Sequence, residues 1–291
     1  MSSTCSFIGV PFDGEATLGW PGARYAPEAI RRHLSWMEMR VQDGEVYWLD
    51  QDRVVELEAD PLVDVGDASV VPHDTAATFS AVRLLAADEI RAGRKPIVVG
   101  GDDSILFPAV AAVHDAGEGS LAIIHFDAHL DLLDESPEQG RFSHSSGMRR
   151  ALELEHVDPG ASVQVGTRNL NYASSKRFID EVGLLEIPAT VVHNLATDAL
   201  LEQLAEHTAG VDRTFLALDM DVLDPAHAPG VGWHEPGGLT SRQLLDLVVG
   251  LAPLVEGMCL NEVNPMTDVR EQTVILAANV IFQFAVATAA K

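Results

Sequence analysis

Three short stretches place acids where an apolar run ends: GGDDS at 100–104, DAHLD at 127–131 and DMD at 219–221. Together they carry six aspartates and one histidine. Carboxylates brought close together repel, and their ionised forms are costly away from water unless a positive charge is present. A metal cation resolves that conflict. Asp127, His129 and Asp131 alternate along the chain, as do Asp219 and Asp221, and alternate residues of an extended segment project to one side, so each set can converge on a point. Mostly oxygen donors with one imidazole suit manganese, with zinc, nickel, iron and cobalt as weaker matches. A lone D-x-D at the end of a strand is commonly a turn or a helix cap. Two such stretches after separate apolar runs favour the metal.

The elements that must position these loops follow from hydrophobic spacing. Strand-like runs occur at 6–10, 96–100, 121–126, 162–165, 190–193, 214–218 and 258–263. Between them, residues 27–37, 76–92, 106–116, 199–207 and 241–251 carry the apolar spacing of helices. Thr240 and Ser241 are suited to cap the last of these. The alternation predicts a mainly parallel sheet covered by helices, an α/β fold. No linker-like composition divides the chain, so residues 1–291 are expected to form a single domain. Ligands of such sheets bind at the carboxyl ends of the strands, where all three acidic stretches fall.

Composition narrows the function classes. The formal net charge of -25 opposes nucleic-acid binding and favours a cationic partner. Cys5 and Cys259, the two cysteines, are too few for a disulfide framework, which points to a reducing compartment. No basic region followed by an apolar stretch opens the chain, so a cytoplasmic location is expected. The apolar run 274–290 is interrupted by Asn279 and Gln283 and falls short of the ~20 residues of a usual span. It reads as a buried closing helix, with no membrane partner.

The ordered set GVPFDGE at 9–15, PGARYAPEAI at 21–30, GGDDS at 100–104, HFDAHLD at 125–131, SHSSGMRR at 143–150, LDMDVLDPAHAPGVG at 218–232, HEPGGLT at 234–240 and NEVNPMTD at 261–268 resembles the ureohydrolase family, which includes arginase and agmatinase. DAHLD with DMDVLDP is the specific part of the match. The resemblance implies a three-layer α/β/α sandwich and two Mn2+ per chain. It implies that Asp127 and Asp219 bridge the ions, that Asp131 completes the first site, and that His129 and Asp221 complete the second. Glu235 matches the family's glutamate that holds the substrate guanidinium. His144 matches its proton-shuttling histidine, although Ser145 and Ser146 replace the usual Gly-Thr that follows it. Trimers or hexamers are implied as well. His125 is expected to be a packed core histidine, and His234 a pocket wall or a surface residue.

One position departs from the family pattern: the usual GGDHS has a histidine ligand of the first metal where this chain has Asp103. A carboxylate there can still ligate manganese, but it neutralises more of the cation's charge and raises the pKa of bound water. A more alkaline activity profile than that of an Asp103→His variant is expected, or a weakened first site. The alternative of another class is a non-catalytic relative with a binding role. A metal-dependent deacetylase of related fold is a third reading. Asp134, Glu135 and Glu138 would repel a substrate carboxylate, which favours agmatine, cleaved to putrescine and urea, over arginine. Guanidinobutyrate and formimidoylglutamate remain as alternatives, the latter because VGTRNLNYASSKRF at 165–178 is similar to formimidoylglutamase-type members.

Overall fold

The computed structural model describes residues 3–16 and 18–291. Ten strands are present among them: β1 Ser3–Val10, β2 Glu45–Trp48, β3 Arg53–Glu56, β4 Asp60–Asp67, β5 Lys95–Gly100, β6 Leu121–Phe126, β7 Val163–Val165, β8 Leu185–Ile187, β9 Arg213–Asp219 and β10 Met258–Asn261. Eight form one sheet in the order β4-β1-β5-β10-β9-β6-β7-β8. Every pairing in it is parallel. β2 and β3 form a separate antiparallel hairpin.

Helices cover both faces. On one side lie α1 (Ala26–Glu38), α6 (Ala189–Val192), α7 (Thr197–Thr208), α8 (Ser241–Leu251) and α9 (Gln272–Ala289). The opposite side carries α2 (Thr75–Arg91), α3 (Leu106–Ala116), α4 (Gly147–Leu152) and α5 (Ala173–Val182). Strand residues alternate between the two cores. Ile97, Val99, Leu216 and Leu218 face the first layer, whereas Val98, Phe215 and Ala217 face the second. The result is the three-layer α/β/α sandwich. A parallel strand buried on both faces has no polar side to show, which is why β5, β6 and β9 read as continuous apolar runs.

The helix spacing locates α1, α2, α3, α7 and α8 to within about two residues, the usual scatter of element ends. Thr240 caps α8: its side chain accepts from Gln243 N at 3.2 Å, and Gln243 Oε1 accepts from Thr240 N at 3.0 Å. Such a cap contributes about 1 kcal/mol. α9 is apolar enough by length and composition to cross a membrane, but 67 % of it is buried, against α1 and α8.

The strand expected at 190–193 is instead the short helix α6, and the paired strand is β8, just before it. Thr190, Val191 and Val192 carry β-branched side chains, but Pro188 stands immediately before the helix as its N-cap. Pro188 O accepts from Val191 N and Val192 N, closing a helical turn. The last strand stops at Asn261 rather than 263, because Glu262 takes φ 62 in the left-handed region. α4, α5, β4 and the β2–β3 hairpin are not among the expected elements; β4, DPLVDVGD, is an edge strand with three exposed aspartates.

Candidate active site

The two aspartates of GGDDS have different jobs. Gly101 ends the strand so close to Phe12 that a Cβ there would strike the Phe12 carbonyl. Asp102, fully buried, then ties the loops together: its Oδ1 accepts from Ser104 N at 3.1 Å and its Oδ2 from Glu15 N at 3.0 Å. Asp103 turns toward the carboxyl ends of the neighbouring strands. Its Oδ1 accepts from Asn261 Nδ2 at 3.1 Å, while Oδ2 has no hydrogen-bond partner among the described residues.

The acids following β6 and β9 converge by tight turns rather than by the alternation of an extended segment. Asp127 Oδ1 accepts from His129 N at 2.6 Å, and Asp219 Oδ1 from Asp221 N at 2.8 Å. Each turn folds the second ligand-type residue back over the first. Asp131 reaches the same space from a left-handed backbone, φ 47. His129 Nδ1 lies 3.0 Å from Asp221 Oδ2 and 3.5 Å from Asp127 Oδ1. Asp221 Oδ1 accepts from Ala128 N at 3.1 Å, which locks the two loops together.

Ligand-type atoms of Asp127, His129 and Asp221 lie within 4.8 Å of one another, as do those of Asp103, Asp131 and Asp219. All six of the residues expected to hold metal are thus in two adjoining sets. Electrostatics reflect the crowding. Burial pushes Asp103 up to about 7, with the Asp127 charge adding to it and His125 and Asn261 opposing. Burial and neighbouring acids push Asp131 and Asp219 well above the usual carboxylate range. Burial also resists ionisation of Asp127, but His125 and His129 outweigh it and its pKa is lowered. His129 is raised because Asp221 and Asp127 overcome its burial. A divalent cation among these groups would restore the ionised carboxylates.

Glu262 was not singled out from the sequence, yet it closes the floor of the site. Its Oε1 accepts from Asp103 N at 2.9 Å and stands 3.8 Å from His144 Nδ1. The signal was available: Glu262 follows the apolar run of β10, the same placement that marks Asp103, Asp127 and Asp219. His144 faces the pocket, with its Nε2 unpartnered among the described residues. Burial disfavours its charged form, but the neighbouring charge of Glu262, with Asp102 and Asp103, prevails and raises its pKa. The Ser143–Ser146 turn is a capping box in which Ser143 N donates to Ser146 Oγ at 2.9 Å. Glu235 stands on the wall, its Oε1 3.7 Å from His129 Nε2 and accepting from Trp233 Nε1 at 2.9 Å. Arg168, also missed, holds the wall in place by donating to the carbonyls of Asp221, Leu223 and Glu235.

A cavity of about 530 Å³ opens over this floor. Its lining includes Asp13, Asp103, Asp131, Asp219, Asp221, Glu235 and Glu262, and no Lys or Arg among the described residues. Leu18, Trp20, Leu170, Tyr172 and Trp233 form an exposed apolar rim. Asp134, Glu135 and Glu138 are outside the lining, contrary to expectation. Asp134 is turned away by ion pairs to Arg141 and Arg150. His125 is fully buried, and His234 is an exposed residue whose Nε2 lies 2.7 Å from Pro229 O.

Residues 3–287 match the arginase family. A guanidinopropionase of Pseudomonas aeruginosa is 34% identical over 95% of this chain and 84% of its own length. An agmatinase of Edwardsiella ictaluri is 34% identical over 97% of this chain and 87% of its own. Among solved structures, a hypothetical agmatinase from Burkholderia thailandensis superposes with a TM-score of 0.83 at 30% identity, covering 98% of this chain and 86% of that one.

Proposed function

The chain belongs to the arginase family, hydrolases of guanidino and amidine compounds, and from that premise we propose a binuclear manganese amidinohydrolase that cleaves agmatine to putrescine and urea. The donor set fits two divalent ions: Asp103, Asp131 and Asp219 would hold one, and Asp127, His129 and Asp221 the other. Oxygen-rich ligation with an imidazole matches manganese. Bound ions would supply the charge that makes water acidic enough to attack and that offsets negative charge developing at the carbon.

The chain's own residues account for the rest of the reaction. Glu262 and Glu235 offer carboxylates to the fork of guanidinium N–H donors, Glu262 from the floor beside His144 and Glu235 from the wall beside His129. Held there, the guanidinium carbon faces the attacking water. The new carbon–oxygen bond forms as the bond to the alkyl nitrogen breaks, and His144 delivers the proton that the departing amine requires. The charge of Glu262 beside it raises its pKa, which favours the protonated imidazole that the delivery needs.

The observation that carries agmatine is the charge of the cavity: beyond the four acids assigned to the ions, Asp13, Glu235 and Glu262 line it, and no Lys or Arg does among the described residues. Guanidinopropionate, guanidinobutyrate, arginine and formimidoylglutamate all bring a carboxylate, which would enter this field without a cationic partner. Agmatine brings an ammonium instead. The aromatic faces of Trp20, Tyr172 and Trp233 at the rim suit that cation. The test is product release from each of these compounds by the manganese-loaded protein. Preference for any carboxylate-bearing compound over agmatine sinks the substrate assignment, and no turnover of any of them favours a non-catalytic role. The proposal includes a cytoplasmic trimer or hexamer; a scattering mass of one chain at both low and molar salt would remove the assembly.

A further inference from the structure

The first metal site has lost the histidine that the family pattern puts at position 103, and a second buried imidazole stands beside the gap in its donor set. His125 lies two residues before Asp127 on β6, on the same face of the sheet, with no exposure to solvent. Its Nε2 is 3.2 Å from Asp127 Oδ2 yet makes no hydrogen bond among the described residues. Asp127 Oδ2 and Asp103 Oδ2 are likewise buried without a partner. Ligand-type atoms of these three residues lie within 4.8 Å of one another.

Buried polar atoms are nearly always paired, and three orphans converging on one point call for a common partner. A protonated His125 Nε2 would pair with one of the two carboxylate oxygens and leave the other orphaned, whereas a cation satisfies all three. Resting on the binuclear reading above, we propose that His125 Nε2 is a ligand of the first metal, replacing the imidazole absent from position 103. The ion then sits one strand step deeper in the sheet, between Asp103 and Asp127. Asp127 can serve both ions, since its Oδ1 is turned toward His129 and its Oδ2 toward His125. Asp103 also belongs to the set with Asp131 and Asp219, so it links the proposed position to the remaining acids.

Ligation through Nε2 requires the His125 proton on Nδ1. Gln164 faces that atom: its Nε2 is 3.3 Å from Nδ1 and donates to Leu130 O at 2.6 Å, while its Oε1 is buried without a donor. A turn of the Gln164 side chain that brings Oε1 to Nδ1–H would fix that tautomer, as metal-bound imidazoles generally require, in exchange for the Nε2 bond to Leu130 O.

Manganese anomalous diffraction from crystals of the manganese-loaded wild-type protein tests this directly. The expected result is a peak within about 2.5 Å of His125 Nε2, besides one among Asp127, His129 and Asp221. A first-site peak beyond hydrogen-bond distance of His125, or a peak at the second site alone, overturns the inference and leaves metal binding itself intact. No manganese at either site overturns the binuclear reading together with it. In solution, His125→Phe is expected to lower the manganese content from two ions to one per chain, with first-site affinity weakened about 100-fold or more. Adding Asp103→His to that variant should restore the second ion. Two ions of unchanged affinity in His125→Phe would overturn the inference, and should that variant fail to fold, the diffraction result decides.

Discussion

The floor and the rim of the cavity are built on different principles. The floor is polar, buried and fixed: Asp103, Asp127, Asp219 and Glu262 each follow a strand of one sheet, and backbone N–H groups hold Asp127, Asp219 and Glu262 by their side-chain oxygens. The rim is apolar and exposed, with Trp20, Leu170, Tyr172 and Trp233 on the loops that join β1, β7 and β9 to helices. A sheet can place charges to within a fraction of an ångström because neighbouring strands share registers. Loops can change what enters without disturbing that placement.

Replacing a floor acid should therefore do far more than replacing a rim residue. Asp219→Asn and Asp127→Asn are expected to lower kcat by about 1000-fold or more and to reduce the manganese content. Either variant retaining both ions and ordinary turnover would undo the distinction. The two glutamates sharpen it within the site. Glu262→Gln, on the floor, is expected to lower kcat/KM for agmatine about 100-fold, and Glu235→Gln, on the wall, about tenfold and mainly through KM. The reverse order would move the guanidinium to the wall.

The floor also predicts a pH dependence that the rim lacks. Asp102 and Asp103 are raised to about 7 by burial, Asp102 with help from Glu262. An acid whose folded pKa exceeds its unfolded value of ~4 stabilises the fold below that value and loses the contribution as pH rises through 7. Metal-free protein should accordingly lose Tm by several degrees between pH 5 and 8, and manganese should raise Tm most at pH 8. Calorimetry showing a flat metal-free profile would mean that these acids are not strained together. The smallest effect belongs to the rim: Trp233→Leu is expected to raise KM for agmatine about threefold to tenfold with kcat unchanged. A fall in kcat instead would give this ring a part in the chemistry.

The floor was legible in the sequence and the rim was not. An acid after a continuous apolar run marks a strand end in a parallel sheet, and that pattern found Asp103, Asp127 and Asp219; applied to 258–261 it would have found Glu262 as well. The attraction of the D-x-D spacing was right for the wrong reason, since turns rather than an extended backbone bring Asp221 and His129 into place. Rim residues meet only through tertiary structure: Trp20 N donates to Gly232 O at 3.0 Å, joining loops far apart in the chain. The acids of 134–138 failed as a guide for the same reason. Their partners Arg141 and Arg150 are visible in the sequence, but the direction in which those pairs turn Asp134 is not.

The place of β10 has a consequence for how the chain is made. This strand, Met258–Asn261, lies in the middle of the sheet between β5 and β9, both of which leave the ribosome long before it. Until it arrives, β5 and β9 present unpaired edges to a crowded cell, and the floor lacks Asn261 and Glu262. Long-range parallel pairing of this kind forms slowly and exposes adhesive edges while it waits. A nascent chain stalled short of residue 258 would thus be a client for chaperones, and a protein truncated there should aggregate rather than yield a smaller working enzyme.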